Sequence, residues 1–257
     1  MLRRHVLAAV AGGTVAMASG APARSAEDDF QLDALVAVQA YRAVVDTHLS
    51  GVLTALKVCA RTADARSGNW EAVKGVLTGL ADGIDTEAAI WFARPDGSYN
   101  TVEEGPAKQN LSDRAYFPNL LAGKDVLGPL VVSKSTGHRS IITAVPVTEA
   151  GKVVGALGVS VRSRLLSDMV IERSSMPADL VLYALDGTGK AALHRDPKRM
   201  FRYPSDIGDT SLDKATVEIL AQEIGRVSYS IEGKTRIAVF ARSKLTGWKF
   251  VLARDVG

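Results

Sequence analysis

Arg114 and Tyr116 place a cation and a hydroxyl two residues apart near the middle of the chain. The planar guanidinium of Arg114 can donate two parallel hydrogen bonds, which match the two oxygens of a carboxylate. The hydroxyl of Tyr116 can donate or accept one more. Ser112 is a residue type that caps helices, so we expect both side chains on a short helix that begins there. The pair predicts a binding site for a small carboxylate.

Other candidate ligand contacts lie on the strands predicted around this helix. Trp91 lies on a first strand, where an aromatic ring can form the wall of a pocket. Ser133 and Lys134 end a strand and offer hydrogen-bond donors, while Thr143 and Ser160 lie on the two strands that follow. The predicted ligand-binding residues are Trp91, Arg114, Tyr116, Ser133, Lys134, Thr143 and Ser160.

The central pair also has an ordinary structural explanation. An ion pair of Arg114 with Asp113 or Glu103 accounts for the arginine almost as well as a ligand does. Tyr116 and the neighbouring Phe117 could equally be core residues, and Phe117 fits that role better. Both interpretations stay open on the sequence alone.

Residues typical of catalysis or metal binding are sparse and scattered. The chain contains no Gly-x-Ser-x-Gly, His-Glu-x-x-His or P-loop motif. Its single cysteine, Cys59, excludes an internal disulfide and a cysteine-based zinc site, and it fits a helical pattern as a small buried hydrophobe. Its four histidines are His5, His48, His138 and His194. This pattern predicts no enzyme activity, no metal site and no cofactor.

Three apolar segments provide the framework of the predicted site. They cover Val126–Val132, Ser140–Val147 and Val153–Val161, and turn-forming residues separate them at Thr136-Gly137 and Ala150-Gly151-Lys152. Runs of this length, rich in Val and Ile, predict strands of an antiparallel sheet. A polar, aromatic-bearing helix on such a sheet would enclose a concave site.

An internal repeat divides the chain into two similar halves. The turn Pro95-Asp96-Gly97 lies between two apolar runs, and Asp186-Gly187 does the same ninety residues further on. Asp-Gly is a strong hairpin signal, because glycine adopts the positive φ that a tight turn needs. We therefore predict an α+β fold with two modules, each an antiparallel sheet flanked by helices. The second module is expected to be too compact for a large ligand and to act as a relay or spacer.

A long helix is predicted ahead of both modules. From Asp28 to about Thr62 the apolar residues recur every three or four positions, which is typical of one face of an amphipathic helix. The predicted divisions of the chain are a signal peptide at 1–23, a helical spine at 28–85, a first module at 86–161, a linking helix at 162–177 and a second module at 178–257.

Residues 1–23 have the order of a secretory leader. Arg3 and Arg4 form a basic region, an apolar stretch follows, and Ala21-Pro22-Ala23 supplies a small-residue cleavage site. We expect export and a periplasmic or secreted mature protein that begins near Arg24, with an uncleaved anchor as the alternative. The adjacent arginines also fit a weak twin-arginine signal, so the secretion route stays open.

The charge of the chain argues against a nucleic-acid partner. The chain carries 31 Lys and Arg against 28 Asp and Glu, for a net charge of +3. Removal of residues 1–23 takes away two arginines and no acid, which lowers the net charge to +1. A protein this close to neutrality lacks the basic footprint that a phosphate backbone requires.

Several motifs of the first module resemble the ligand-binding core of extracytoplasmic double Cache domains, the tandem PAS-like sensors of bacterial receptors. They are SDRAYF with the LAG that follows, VSKSTG, ITAVPV and GKVVGALGV, in that order. The resemblance implies a spine helix beside two PAS-like modules, with ligand contacts from the helix and strands named above. It also implies a membrane-bound receptor or kinase as partner, and no catalytic part for His194-Arg195-Asp196-Pro197, which similar sensors often carry at a strand end.

Two departures from this family bear on the ligand. Members that bind amino acids carry an acidic residue near the end of the last strand of the first module, where this chain has Ser160 flanked by Arg162 and Arg164. They also carry a Trp-Tyr pair after the arginine, where this chain has Ala115-Tyr116-Phe117. Because an amine would lack its acid, an organic acid anion is favoured over an amino acid.

The sequence thus predicts an exported small-molecule-binding sensor that communicates with a membrane receptor or transporter. The alternatives are a structural or interaction protein with a vestigial pocket and, with the least support, an exported enzyme on a PAS-like scaffold. A closed, polar-lined cavity in the first module would favour binding. A pocket filled by Trp91 and Phe117 would favour the structural alternative.

Overall fold

The computed structural model describes residues 26–81, 83–84, 88–207 and 209–256. The predicted leader at 1–23 lies outside the described residues. A long helix is followed by a six-stranded and a five-stranded antiparallel sheet, and helices pack against both. The predicted α+β fold class is confirmed.

The described residues form six α-helices and eleven strands. The helices are α1 (Ala26–Ala60), α2 (Ala63–Arg66), α3 (Trp70–Ala81), α4 (Phe117–Leu121), α5 (Ser163–Ser174) and α6 (Thr210–Ala221). The strands are β1 (Ala88–Ala93), β2 (Ser98–Thr101), β3 (Gly105–Asn110), β4 (Val126–Val132), β5 (Arg139–Glu149), β6 (Lys152–Arg162), β7 (Leu180–Leu185), β8 (Ala191–His194), β9 (Ile224–Ile231), β10 (Lys234–Arg242) and β11 (Lys249–Val256).

The first sheet has the strand order β3-β2-β1-β6-β5-β4 and includes all three predicted apolar runs as strands. β5 and β6 form a long hairpin, whose turn places Ala150 and Gly151 at φ 48° and 77°. The edge strand β4 carries a bulge between Leu127 and Leu130. Gly128 takes a φ of 100° within this bulge, a conformation that suits a residue without a Cβ.

The second sheet has the order β8-β7-β11-β10-β9. Its hairpin β7-β8 corresponds to β1-β2 of the first sheet, but the glycine that closes its turn lies two residues later than the sequence repeat predicts. Gly97 closes the first turn at φ 83°, whereas Gly189, at φ 87°, closes the second. The prediction that Gly187 takes the positive φ was therefore wrong. The carboxylate of Asp186 accepts a hydrogen bond from the backbone N–H of Thr188 (2.8 Å), which carries the turn two residues further along the chain.

One face of α1 packs against both sheets and forms a core that they share. Its buried residues recur every three or four positions: Ala34, Val38, Tyr41, Val45, Leu49, Val52, Leu56 and Ala60. The ring of Tyr41 meets Phe250 of the second sheet edge-on, with ring centroids 5.0 Å apart. The Asp46 carboxylate accepts a hydrogen bond from the Ser243 hydroxyl at 2.7 Å. Because α1 also contacts β5 and β6, both modules fold around one helix.

Between Asp33 and Ala60, α1 is also long and apolar enough to cross a membrane, by length and composition alone. One such helix near the N-terminus is weak evidence for a span, because a core helix passes the same test. Here the two sheets cover the apolar face of the helix, as is typical of a core helix.

We expect Leu49→Ala to destabilise the protein by about 2–5 kcal/mol, because the leucine is fully buried in the shared core and its removal leaves a cavity. Urea denaturation followed by circular dichroism measures the free energy of unfolding. Val58→Ala is the matched control on the exposed side of α1, where the change should stay within about 0.5 kcal/mol. Equal losses in the two variants would contradict the shared core.

Candidate ligand-binding site

Six of the seven predicted ligand-binding residues line one small cavity on the face of the first sheet that points away from α1. The sheet supplies the floor of this cavity, and the chain that leads into α4 covers it. The lining residues are Trp91, Tyr99, Leu111, Arg114, Tyr116, Val131, Ser133, Lys134, Ser135, Ile142 and Ser160.

Thr143, the seventh predicted residue, lies on the other face of the sheet. Side chains alternate along a strand, and its neighbour Ile142 lines the cavity. The cross-strand partners of Thr143 are Leu127 and Val159, which belong to the core around α1. Its hydroxyl is buried and, among the described residues, has no hydrogen-bond partner. The structure therefore does not bring Thr143 together with the other six.

The segment that carries Arg114 and Tyr116 forms turns, and the predicted helix capped by Ser112 is absent from this described segment. α4 begins only at Phe117, with Tyr116 at its cap position and Pro118 in its first turn, where the fixed φ of proline fits. The Ser112 backbone N–H instead donates to a side-chain oxygen two residues upstream, at 2.7 Å. Both predicted site residues consequently reach the cavity from a hydrogen-bonded loop.

Arg114 is a cation that the described residues leave incompletely paired. Its Nη2 donates to the backbone oxygen of Val132 at 2.6 Å. Its Nε is buried and has no hydrogen-bond partner within the part of the chain that the structure describes. A buried donor without an acceptor costs about 1–3 kcal/mol, and more when it is charged. An acceptor supplied by a ligand would remove that cost.

Lys134 lines the same cavity, but its ammonium group is already paired within the protein. Its Nζ donates to the backbone oxygen of Asn110 and to the two carboxylate oxygens of Asp113, at 2.6, 2.6 and 2.7 Å. The hydrogen bond from Lys134 lowers the pKa of the Asp113 carboxyl below its usual range. The structural explanation by ion pairing thus applies to Lys134 and Asp113, which are hydrogen-bonded to each other.

The aromatic residues of the cavity act as walls and as neutral donors. The indole Nε1–H of Trp91 donates to the Ser160 hydroxyl at 3.2 Å. Burial raises the pKa of Tyr116 to about 12, and it also raises the pKa of Tyr99. Both phenols therefore keep their protons at neutral pH and can donate hydrogen bonds to an anion.

The cavity combines a polar lining with very little space. Its lining includes two cations and several hydroxyls, and no Asp or Glu. The cavity volume is about 10 Å³, which is enough for about one water molecule. A larger ligand therefore requires its lining side chains to move outward. Phe117, which the structural alternative would place in the pocket, is instead a buried core residue beside it.

A family model for the Cache domain, of the double Cache type, matches residues 21–256. The chain belongs to the Cache domain family. The resemblance inferred from the sequence motifs is confirmed. Cache domains of this type are extracytoplasmic sensory modules that bind small ligands, which also confirms the predicted function at that level. No curated protein matches the chain at a significant level.

Solved structures of chemoreceptor domains share the fold at low sequence identity. The ligand-binding domain of the Pseudomonas aeruginosa PAO1 amino acid chemoreceptor PctB with L-Arg has a TM-score of 0.68 and 19% identity, over 90% of this Cache chain and 96% of that chain. The Campylobacter jejuni chemoreceptor Tlp3 with 4-methylisoleucine gives 0.67 and 12%, over 90% and 93%. The Pseudomonas fluorescens chemoreceptor CtaA with L-isoleucine gives 0.67 and 18%, over 89% and 92%.

Sequence reasoning missed a second cavity, which lies in the second module and is larger than the first. Its volume is about 270 Å³. Tyr183 and Tyr229 line it, with their hydroxyl oxygens 3.3 Å apart. The ring of His194 stacks on the ring of Tyr183, with the two ring centroids 5.7 Å apart. The alternation of β9, which places Tyr229 on the buried face, was the available signal. A cavity of this volume suits a small ligand, so the expectation that the second module cannot hold a large one stays a prediction.

Gly158→Ala is expected to destabilise this Cache protein by about 1–3 kcal/mol and to shift its tryptophan fluorescence. A Cβ at Gly158 would lie 2.0–2.4 Å from atoms of the Trp91 indole, so the ring that walls the first cavity must move. Chemical denaturation and emission spectra measure both effects. Gly75→Ala, on an exposed part of α3 with nothing within 4 Å of the new Cβ, should be neutral or slightly stabilising. An unshifted spectrum in Gly158→Ala would contradict the packing of Trp91.

The stability of the protein should fall as the pH is lowered from about 7 to about 4, in part because of His194. Burial, aided by Arg199 and Arg236 and opposed by Asp196, lowers the pKa of His194 from 6.5 to about 4. Between these values the unfolded chain binds a proton that the folded protein resists, so acid favours unfolding, by up to about 3 kcal/mol. Denaturation across this pH range measures the effect.

The stability difference between the wild type and His194→Asn isolates this contribution from the carboxylates that titrate in the same range. In the wild type, Nδ1 of His194 accepts a hydrogen bond from the backbone N–H of Asp196 at 2.8 Å. An asparagine side chain keeps an acceptor near this position. The variant should lose less stability in acid than the wild type. His138→Asn, at an exposed loop position, should follow the wild type. Parallel pH profiles for the wild type and His194→Asn would refute the assignment.

Proposed function

We propose that this Cache protein is an exported sensor subunit that binds a small organic acid anion in the first module, with Arg114 as its main anchor. The observation that carries the proposal is the buried Nε of Arg114, which has no hydrogen-bond partner among the described residues and lies beside a cavity whose lining contains no acid. A carboxylate would supply the missing acceptor and neutralise the charge.

The neighbours of Arg114 support a carboxylate in particular. Tyr116 and Ser133 line the same cavity and can donate hydrogen bonds to oxygens that the guanidinium does not reach. Trp91 and Ile142 provide apolar surface for the carbon skeleton of a small ligand. A few convergent donors on an otherwise apolar wall are typical of small-molecule sites.

An organic acid is favoured over an amino acid because the ammonium group of an amino acid needs an acidic partner. No Asp or Glu lines the cavity, and the nearby carboxylate of Asp113 is paired with Lys134. Ser160 stands at the strand position where we expected amino-acid receptors to carry their acid. The chemoreceptor domains named above were solved with amino acids, so the ligand class is where this protein is proposed to differ from them.

Export and a membrane-bound partner complete the proposal. The leader-like order of residues 1–23 supports delivery to the periplasm or the outside of the cell. α1 packs against both sheets, so a movement of the first sheet on binding would reach the whole length of the helix. A receptor, transporter or kinase in the membrane that contacts α1 would respond to that movement.

The small volume of the first cavity supports a second candidate, a structural or interaction protein with a vestigial pocket. Trp91 is almost fully buried against Gly158 and leaves little free space. A thermal-shift screen with acetate, succinate, malate and citrate beside isoleucine, arginine and glutamine separates the candidates, because a ligand that binds the folded state raises the apparent stability. Failure of all of these to stabilise the protein would favour the vestigial pocket.

Arg114→Ala should weaken binding of the organic acid that the screen returns by at least about thirtyfold, because truncation leaves the carboxylate without its charged partner. Arg114→Lys should recover little of the loss, since an ammonium group cannot donate two parallel hydrogen bonds to one carboxylate. Isothermal titration calorimetry measures the affinities, and the part of the tryptophan fluorescence change that a Trp91→Phe variant loses reports on the first cavity.

Arg164→Gln is the matched control, because it removes an exposed arginine that pairs with Asp168 on α5 and should leave the affinity unchanged. Wild-type affinity in a folded Arg114→Ala variant would remove the anchor from the proposal. Stabilisation by amino acids alone would refute the organic acid while leaving the sensor function in place.

A further inference from the structure

We propose that the second module holds a separate binding site for a small monocarboxylate, in which Arg199, Arg236 and His194 face the anion. The site is the cavity of about 270 Å³ between the second sheet and the chain from Asp196 to Ile207. The proposal does not rest on the function of the first module, since the two cavities have no lining residue in common.

The register of the second sheet places the polar groups side by side on one face. Arg236 of β10 is directly opposite Tyr229 of β9 and Asp255 of β11. Its Nε donates to the Asp255 carboxylate at 2.5 Å, which fixes the guanidinium in place. On β7 and β8, Tyr183 is directly opposite His194. These side chains form a fixed polar floor.

The chain above the floor is held in position by backbone hydrogen bonds. The N–H of Ala191 donates to the oxygen of Arg202 at 2.9 Å, and the N–H of Phe201 donates to the oxygen of Ala191 at 2.7 Å. Phe201 takes a φ of 62° in this arrangement, a strained value for a bulky residue that its surroundings must enforce. The cavity is therefore preformed, which lowers the cost of binding.

The distribution of charge makes the interior of the cavity a place for an anion. The side chains of Arg236 and Arg199 are only 13% and 19% exposed. The acids that pair with them are more exposed: Glu232 is 65%, Asp196 47% and Asp255 34% exposed. Solvent screens the more exposed carboxylates more than the less exposed guanidinium groups, which favours an anion inside the cavity.

The size and the remaining donors narrow the ligand to a short monocarboxylate. The lining residues include four cations (Lys198, Arg199, Arg202 and Arg236) and three acids (Asp196, Asp206 and Glu232), an excess of one positive charge. His194 accepts a backbone hydrogen bond at Nδ1, so in its neutral form Nε2 carries the proton and can donate. Leu185, Leu212 and Ile231 offer apolar surface for a short carbon chain.

The test is a titration of the full chain with propionate at pH 7 and constant ionic strength, followed by the NMR signals of the histidine rings. His194→Asn assigns the His194 signal. We expect this signal to shift and saturate with propionate. The neutral isostere propionamide should leave it unmoved, because the site requires the anion.

Variants of the two modules decide where the anion binds. Arg199→Gln should weaken the propionate response of His194 about tenfold or more, and Tyr229→Phe, which removes one hydroxyl only, should weaken it severalfold. Arg114→Ala in the first module should leave the response unchanged. The proposal is overturned if the His194 signal does not saturate, if propionamide shifts it equally, or if Arg114→Ala abolishes the shift while Arg199→Gln and Tyr229→Phe retain it.

Discussion

The rest of the structure depends on the packing of α1 against two sheets at once. Its row of buried side chains joins the two sheets in one shared core, because residues of both modules meet around the same helix. The Asp46–Ser243 hydrogen bond adds a directional tie that fixes the position of the helix along the second sheet. The face of each strand that does not touch α1 is then free to line a cavity, and both cavities lie on such faces.

α1 and the candidate site lie on opposite faces of the first sheet, with a single layer of strands between them. Ile90 and Ile141 point into the shared core, while their chain neighbours Trp91 and Ile142 point toward the first cavity. A ligand that displaces Trp91 therefore acts on a backbone whose other face holds the helix. Protein interiors are close-packed, so such a displacement passes to the neighbouring element and is not absorbed locally.

The parts of the fold that follow from local pattern could be predicted from the sequence, and those set by tertiary contacts could not. Apolar runs of Val and Ile identified the strands of the first sheet because their signal is periodic. Thr143 was misplaced by one step, although its neighbour Ile142, which is paired with Ser160, reaches the predicted site. A shift of one residue reverses the face of a strand. The second cavity could not be predicted in the same way, because the segment that covers it is irregular and is held by hydrogen bonds to residues distant in sequence.

The bulge of β4 has a consequence for how this protein can meet a partner. β4 is an edge strand, and Gly128 distorts it next to Pro129, a residue without a backbone N–H. β3, the opposite edge, contains Pro106. In the second sheet, β8 is four residues long with Phe201 bonded alongside it, and β9 is bonded to α6 through the Ser230 N–H. Interrupted or covered edges resist the addition of a foreign strand. Binding of a partner by strand pairing is therefore disfavoured, and so is aggregation through exposed edges. Helical surfaces and loops remain as the parts of the protein that a partner can contact.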